Sequence, residues 1–352
     1  MVLFASLQFL KQAAMIRVLY ALIPIALGGI YFFGWRVAAI IAVAGIAGFL
    51  TEWIMVSQKN GKVTYACFVS TTLYALSLPP TTPFWIVAVG AIIALLFGKE
   101  VFGGFGKNVF NPAVVGRAFV YVAFPIELTG SFVPVFTGFP GGLTQWSITG
   151  PGSLPRDLAM AGAGIADAIT AATPMLAHKT MGYTAGLMQL FTGAIGGTFT
   201  FDGRTMIYAA GSTGEVSAAI IAVSGIYLLV TRTANWRLMF SPVIGALVMN
   251  LFMHYALGIE AMPGLLFTLL SGGLLYAAVF MVTEPVTAPK VPLSQWIYGI
   301  FIGVMIVFLR QKSLFSGAVG FALLLGNIAS PSLDLWIRRI RASRGAQAKA
   351  AQ

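Results

Sequence analysis

The chain has 352 residues, 58% of them hydrophobic and 9% charged, with a mean hydropathy of +0.89 and a formal net charge of +11. A soluble domain carries roughly 25% charged residues. Apolar runs here recur at the ~17–25 residues needed to cross about 30 Å of hydrocarbon, which excludes a soluble fold, and a β-barrel would instead alternate over segments of about ten residues. The expected class is an all-α polytopic membrane protein with no nucleic-acid partner, its basic residues lying in short loops and a tail. A single cysteine, Cys67, leaves no Cys-ligated cluster and no internal disulfide within this chain. His178 and His254, the two histidines, make a poor bis-His haem site.

In chain order, the hydropathy pattern predicts ten spans. Five lie at 16–35, 37–56, 64–78, 84–99 and 108–125, and five at 211–231, 237–258, 263–283, 294–310 and 315–331. The first run has no small-residue cleavage site and is read as a span rather than a signal. The third ends in Leu78-Pro79-Pro80, and a Pro pair cannot continue a helix. This predicts a half-helix, whose free backbone groups need surrounding protein or a wet cavity. Lys and Arg set the orientation. With the N-terminus in the cytoplasm, that side collects Lys11, Arg17, Lys59, Lys62, Lys99, Lys107, Arg232, Arg237, Lys290 and the tail residues Arg338, Arg339, Arg341, Arg344 and Lys349. The other side has only Arg36, Arg156, Lys179, Arg204, Arg310 and Lys312, and Arg117 falls within a span. Both termini are therefore expected in the cytoplasm.

The segment from Leu73 to Trp85 is weakly similar to the one from Leu275 to Trp296, and Ala123-Phe-Pro125 matches Ala329-Ser-Pro331 in position. Two five-span repeats follow, and an odd number of spans inverts the second copy. The expected organisation is a first membrane repeat at 1–125, an outer-side insert at 126–210, a second repeat at 211–331 and a basic cytoplasmic tail at 332–352.

The insert holds Asp167-Ala-Ile-Thr170-Ala-Ala172-Thr173-Pro174. Thr173-Pro174 reads as an N-cap followed by Pro at the first helical position, opening a helix toward Phe191. The same residues fit D-x-x-[S/T]-x-A-T, which resembles the acceptor motif of bacterial flavin transferases. Those enzymes esterify the phosphate of FMN onto the last threonine. The resemblance implies a covalent FMN on Thr173, with Asp167, Thr170 and Ala172 as the rest of the motif. A phosphodiester there would sit at a helix N-terminus, where free N–H groups and the dipole favour an anion.

The stretch Gly98-Lys-Glu-Val-Phe-Gly-Gly-Phe-Gly-Lys-Asn-Val-Phe-Asn-Pro-Ala-Val-Val-Gly-Arg-Ala-Phe119 resembles the NqrB/RnfD family, membrane subunits of the Na⁺-translocating NADH:quinone oxidoreductase (Nqr) and of the Rnf complex. Further similar blocks follow in order at Gly211–Ser217, Thr231–Arg237, Thr283–Pro289, Trp296–Gly299 and Gly326–Pro331. The likeness runs from about residue 60 to the C-terminus, with a gap at 126–160. Two methyls depart from the family's flavin motif, at Ala168 and Ala171, where glycine is usual.

The resemblance implies a subunit of an ion-translocating oxidoreductase in the bacterial inner membrane, moving Na⁺ or H⁺. It implies a second, non-covalent riboflavin, partner membrane and flavin or iron–sulfur subunits, a flavin transferase for maturation, and a quinone near Gly103 and Gly104. The Gly98–Gly106 run itself lacks the strand and helix context of a dinucleotide loop, and close backbone packing is its other reading. No NAD fingerprint is present, so the chain alone is expected to lack NADH oxidation.

An ionisable group at a helix centre costs roughly 2.5–3.5 kcal/mol, so Glu52, Glu100, Glu215, Glu284 and Arg117 stand out. Glu215 and Glu284 are the cation-path candidates, their alternative role being interfacial or Arg-paired carboxylates. Lys99 and Glu100 read as an interface pair, and Asn108 and Asn111 as caps. A flavin-free channel or secondary transporter is the competing function, since inverted repeats with broken helices serve transport equally well.

Overall fold

A computed structural model describes residues 9–59, 61–130, 132–148, 173–202, 204–313 and 317–350. Its apolar runs are helical because backbone groups removed from water must bond within their own segment. The first half contains α1 (Ala13–Phe33), α2 (Arg36–Ser57), α3 (Tyr65–Leu76), α4 (Phe84–Leu95) and α5 (Pro112–Ala123), followed by the short α6 (Pro125–Thr129). The insert supplies α7 (Pro174–Met181) and α8 (Leu187–Thr192). The second half contains α9 (Ala218–Val230), α10 (Trp236–Leu251), α11 (Leu265–Leu270), α12 (Leu274–Tyr276), α13 (Pro292–Lys312) and α14 (Ala318–Ala350). Among the described residues, five helices are long and apolar enough to cross a membrane: Ala13–Phe33, Arg36–Ser57, Trp236–Ala256, Pro292–Lys312 and Ala318–Ser343.

Several expected spans come out shorter. Helices α3 and α5 each have 12 residues, about 18 Å, whereas α4 continues through a π-helical turn, Leu96–Glu100, and so covers the span expected at 84–99. The half-helix ends as the Pro pair requires: α3 stops at Leu76, and Arg36 donates from Nε to Pro80 O and from NH2 to Thr81 O and Thr82 O. The span expected at 211–231 begins only at Ala218, after a 3₁₀ turn at Thr213–Glu215. That expected at 263–283 is broken at Ser271–Gly273 between α11 and α12 and continues as a π-helical turn, Ala277–Met281. The last one does not stop at Pro331 but runs on as α14. There, the Asp334 carboxylate accepts the Lys290 and Val291 amides.

The fold is not purely helical. Two residues at β1 (Phe9–Leu10) pair in parallel with β2 (Val63–Thr64), and the insert carries an antiparallel hairpin, β3 (Thr198–Phe201) with β4 (Arg204–Ile207). Phe199 of that hairpin stacks on Tyr183, ring centroids 4.6 Å apart, in a core that the insert shares with Phe32 and Phe33 of α1 and Phe267 of α11.

Helices α1 and α9 pack together, as do α5 and α14. Tyr276 Oη donates to Leu73 O at 3.2 Å and Thr213 Oγ1 to Leu78 O at 2.8 Å, joining the broken segments of the two halves. Within the second half, α10 and α13 approach along glycines. A Cβ on Gly303 would lie 2.0 Å from Pro242 O, and one on Gly245 2.2 Å from Ile300 O. Small residues allow this closeness where helices associate by packing rather than by expelling water.

Candidate functional site

Thr173 has extended backbone (φ −67°, ψ 157°) and N-caps α7, its Oγ1 accepting Leu176 N–H at 3.4 Å, with Pro174 at the first helical position. The sequence-based cap is thus present. The helix is shorter than expected, however: it ends at Met181 with Gly182 in the left-handed region (φ 68°), and α8 is a separate turn of helix. Glycine ends the helix because only it enters that region without a Cβ clash.

The half-buried Thr173 faces a pocket enclosed by the insert and both membrane halves. Arg117 and Tyr121 come from α5, Lys179 from α7, Glu215 from the 3₁₀ turn, Gly272 and Gly273 from the helix break, and Arg310 from the end of α13. Lys179 Nζ donates to Arg310 O (2.9 Å) and Ser313 O (2.7 Å), and partial burial holds its ammonium below the ordinary lysine range. Arg310 donates from NH1 to Thr268 O and from NH2 to Ser271 O, satisfying carbonyls that the end of α11 leaves over. Glu215 Oε1 accepts the Ser212 amide at 2.9 Å. Arg117 is buried, with its guanidinium carbon 5.2 Å from the Tyr121 ring centre. Asp167, Thr170 and Ala172 lie outside the described residues.

A second pocket lies at the other end of α5. Asn111 Oδ1 caps α5 by accepting Ala113 N–H at 3.0 Å, its own amide N–H donates to Asn327 Oδ1, and Asn327 Nδ2 donates to Tyr298 Oη at 2.8 Å. Ser70, Asn108, Asn111, Thr283 and Glu284 give this pocket its polar wall, and Glu284 accepts the Thr287 amide at 3.1 Å. Pro112 lines this pocket while Arg117, about 8 Å further along α5, lines the first. The two carboxylates, Glu215 and Glu284, therefore belong to different pockets.

Lys99 borders the second pocket but is engaged elsewhere. Its Nζ lies 2.6 Å from Glu52 Oε2 and 2.6 Å from Thr64 Oγ1, against 3.9 Å from Glu100 Oε1. Lys99 and Glu100 do come within ion-pair distance, but the closer partner of Lys99 is Glu52, which α2 brings across the fold. Glu52 Oε1 in turn accepts both the amide and the hydroxyl of Thr64. Gly103 and Gly104 take left-handed backbone (φ 105° and 89°), which accounts for their being glycine, and neither lines either pocket. They hold a loop that exposes Phe102 and Phe105. Arg310 as a wall of the Thr173 pocket was not legible from the sequence, whereas Lys179 was suggested by its closeness to Thr173 in the chain, with nothing to fix its direction. Arg117 stands out there as a lone charge within an apolar span, but not as a neighbour of Thr173.

A helical, multi-pass membrane protein with a threonine-capped helix over a cation-lined pocket is the class these features define. The NQR2, RnfD, RnfE family matches residues 6–342, and the chain belongs to that family. It is 32% identical over 298 residues to the B subunit of the Na(+)-translocating NADH-quinone reductase of Pseudomonas aeruginosa strain PAO1, covering 83% of this chain and 64% of that protein. The chain thus spans about two thirds of the length of the reductase subunits it matches. It is 32% identical over 351 residues to the D subunit of the ion-translocating oxidoreductase complex of Stutzerimonas stutzeri, covering 95% of this chain and 93% of that protein. The corresponding protein of Actinobacillus succinogenes is 28% identical over 348 residues, covering 94% of this chain and 93% of its own length.

Proposed function

We propose that the chain is a membrane electron-transfer subunit of an ion-translocating oxidoreductase complex of Nqr or Rnf type, carrying FMN esterified to Thr173. The observation that carries this reading is the Thr173 hydroxyl itself, half-buried at the N-terminus of α7 and facing a pocket with three cationic side chains and one carboxylate. That chemistry fits a phosphodiester: helix N–H groups and dipole favour the anion, and the cations lie in the same wall. The bound flavin would supply one-electron exchange, the protein its position and electrostatics. Thr173 Oγ1 anchors, and Asp167, Thr170 and Ala172 complete the motif that a flavin transferase reads.

The second pocket suits a neutral flavin such as riboflavin. Its one cationic wall residue, Lys99, is already bound to Glu52, so a phosphate would find no available positive charge, whereas hydroxyl and amide groups match a ribityl chain. Glu284 there and Glu215 in the first pocket are the candidate stations for Na⁺ or H⁺. The exposed Phe102 and Phe105 on the Gly103–Gly104 loop offer an apolar face to a quinone. Partner subunits supply the primary donor. The packing of α1 on α9 and of α5 on α14 supports ten crossings arranged as two inverted five-helix repeats, in the bacterial inner membrane with both termini cytoplasmic.

Ultraviolet illumination of the denatured gel band, from a host with flavin transferase, tests the central point. The band should fluoresce, and the tryptic peptide 157–179 should carry the FMN mass. Thr173→Ala should abolish both signals, and Thr170→Ala should leave the linkage atom in place. An unmodified wild-type peptide would reject the assignment and leave the flavin-free transporter.

A further inference from the structure

The charge inventory of the Thr173 pocket is uneven in a specific way. Of its three cations, Lys179 is engaged by two backbone carbonyls and Arg310 by two others. Arg117 differs. It is 6% exposed, and its Nε has no hydrogen-bond partner among the described residues. Tyr121 accepts from the guanidinium, but a buried guanidinium with an unmet donor is still costly unless an anion completes it. Glu215 comes close without closing the gap, and no ion pair joins the two among the described residues. Both heads converge instead on Gly273. A Cβ built there would lie 2.7 Å from Glu215 Oε2 and 4.0 Å from Arg117 NH1. The helix break thus leaves bare backbone between a cation with one unmet donor and a carboxylate of opposite sign, all in the wall that Thr173 faces.

We propose that Arg117 and Glu215 are opposed positioning charges that set the reduction potential of the flavin attached at Thr173. This rests on the attachment proposed above. An electron added to an isoalloxazine ahead of any proton adds one negative charge to the ring. A fixed cation beside it favours that charge and a fixed carboxylate disfavours it, and inside a membrane protein neither is well screened by salt. Arg117 raises the potential and Glu215 lowers it.

The test is a spectroelectrochemical titration of the full chain, purified from a transferase-competent host and reduced stepwise with dithionite. The wave belonging to the Thr173-linked flavin is the one missing from Thr173→Ala. Arg117→Gln should lower its midpoint and Glu215→Gln should raise it, each by at least tenfold in the reduced-to-oxidised ratio at a fixed applied potential, which is about 59 mV for one electron. Peptide-bound flavin by mass spectrometry should stay at the wild-type level in both. Glutamine keeps the oxygen that accepts the Ser212 amide, so the cap survives in Glu215→Gln, and Arg117→Lys should retain most of the wild-type midpoint. Should Arg117→Gln fail to fold, the upward shift of Glu215→Gln and the near-normal Arg117→Lys carry the test. Unmoved midpoints at full flavin content, or shifts of the same sign in both variants, overturn the proposal. Lower flavin content with an unmoved midpoint also overturns it, assigning Arg117 to the phosphate instead. A wild-type peptide without flavin rejects the attachment itself, a separate result read before any titration.

Discussion

Lys99→Met should destabilise the protein by about 3–5 kcal/mol, the usual cost of removing one partner from a buried ion pair. Lys99 is 2% exposed and Glu52 fully buried, so the remaining carboxylate keeps only neutral partners, Thr64 and the Cys67 thiol. The pair also ties the end of α4, through its π-helical turn Leu96–Glu100, to α2 and to the short β2 strand. Cys67 offers a direct readout, being the one cysteine of the chain and fully buried. Heating the detergent-solubilised protein with a thiol-reactive dye should label Cys67 at a clearly lower temperature in Lys99→Met than in wild type. Glu52→Gln combined with Lys99→Met should recover part of the loss, because the stranded charge is gone. Identical labelling curves for wild type and Lys99→Met would rule out a structural role for the pair.

Gly303→Val should be at least as damaging by a different route. Overpacking a core costs about 1–3 kcal/mol, and more when nothing can yield. The obstacle to a Cβ at Gly303 is the Pro242 carbonyl, 2.0 Å away, with the Ala246 nitrogen at 2.7 Å. Both are backbone, so α10 and α13 must separate as whole helices. Gly45→Ala on α2 is the control, with no atom within 4 Å of its added methyl. The same dye assay should show early labelling for Gly303→Val and no loss for Gly45→Ala. Equal behaviour of the two glycines would mean that the α10–α13 contact is not limiting.

The sequence pattern was most informative where a local rule dominates. Leu78-Pro79-Pro80 stops α3 because proline lacks the donor a helix needs, and Thr173-Pro174 starts α7 by cap chemistry confined to four residues. It was less informative where distant residues meet. Glu52 and Lys99 are 47 positions apart, and Arg117 shares the Glu215 pocket only because α5 and the 271–273 break both border it. Hydropathy also overstates helix length. The segments 211–217 and 271–273 are polar and glycine-rich but short enough to be masked by the apolar runs beside them, and Gly211 and Gly272 there adopt left-handed backbone that interrupts the helix. Those interruptions form the Thr173 pocket, so the places where periodicity failed are the places that build the site.

Arg36 has a bearing on how tightly such a protein can seal. One guanidinium holds three successive carbonyls beyond the end of α3, a helix too short to cross the hydrocarbon by itself. Without it those oxygens would recruit water, and a file of water beside a re-entrant turn is a leak for protons. In an ion-translocating complex of the proposed kind such a leak would drain the gradient, and Arg36 would serve as insulation.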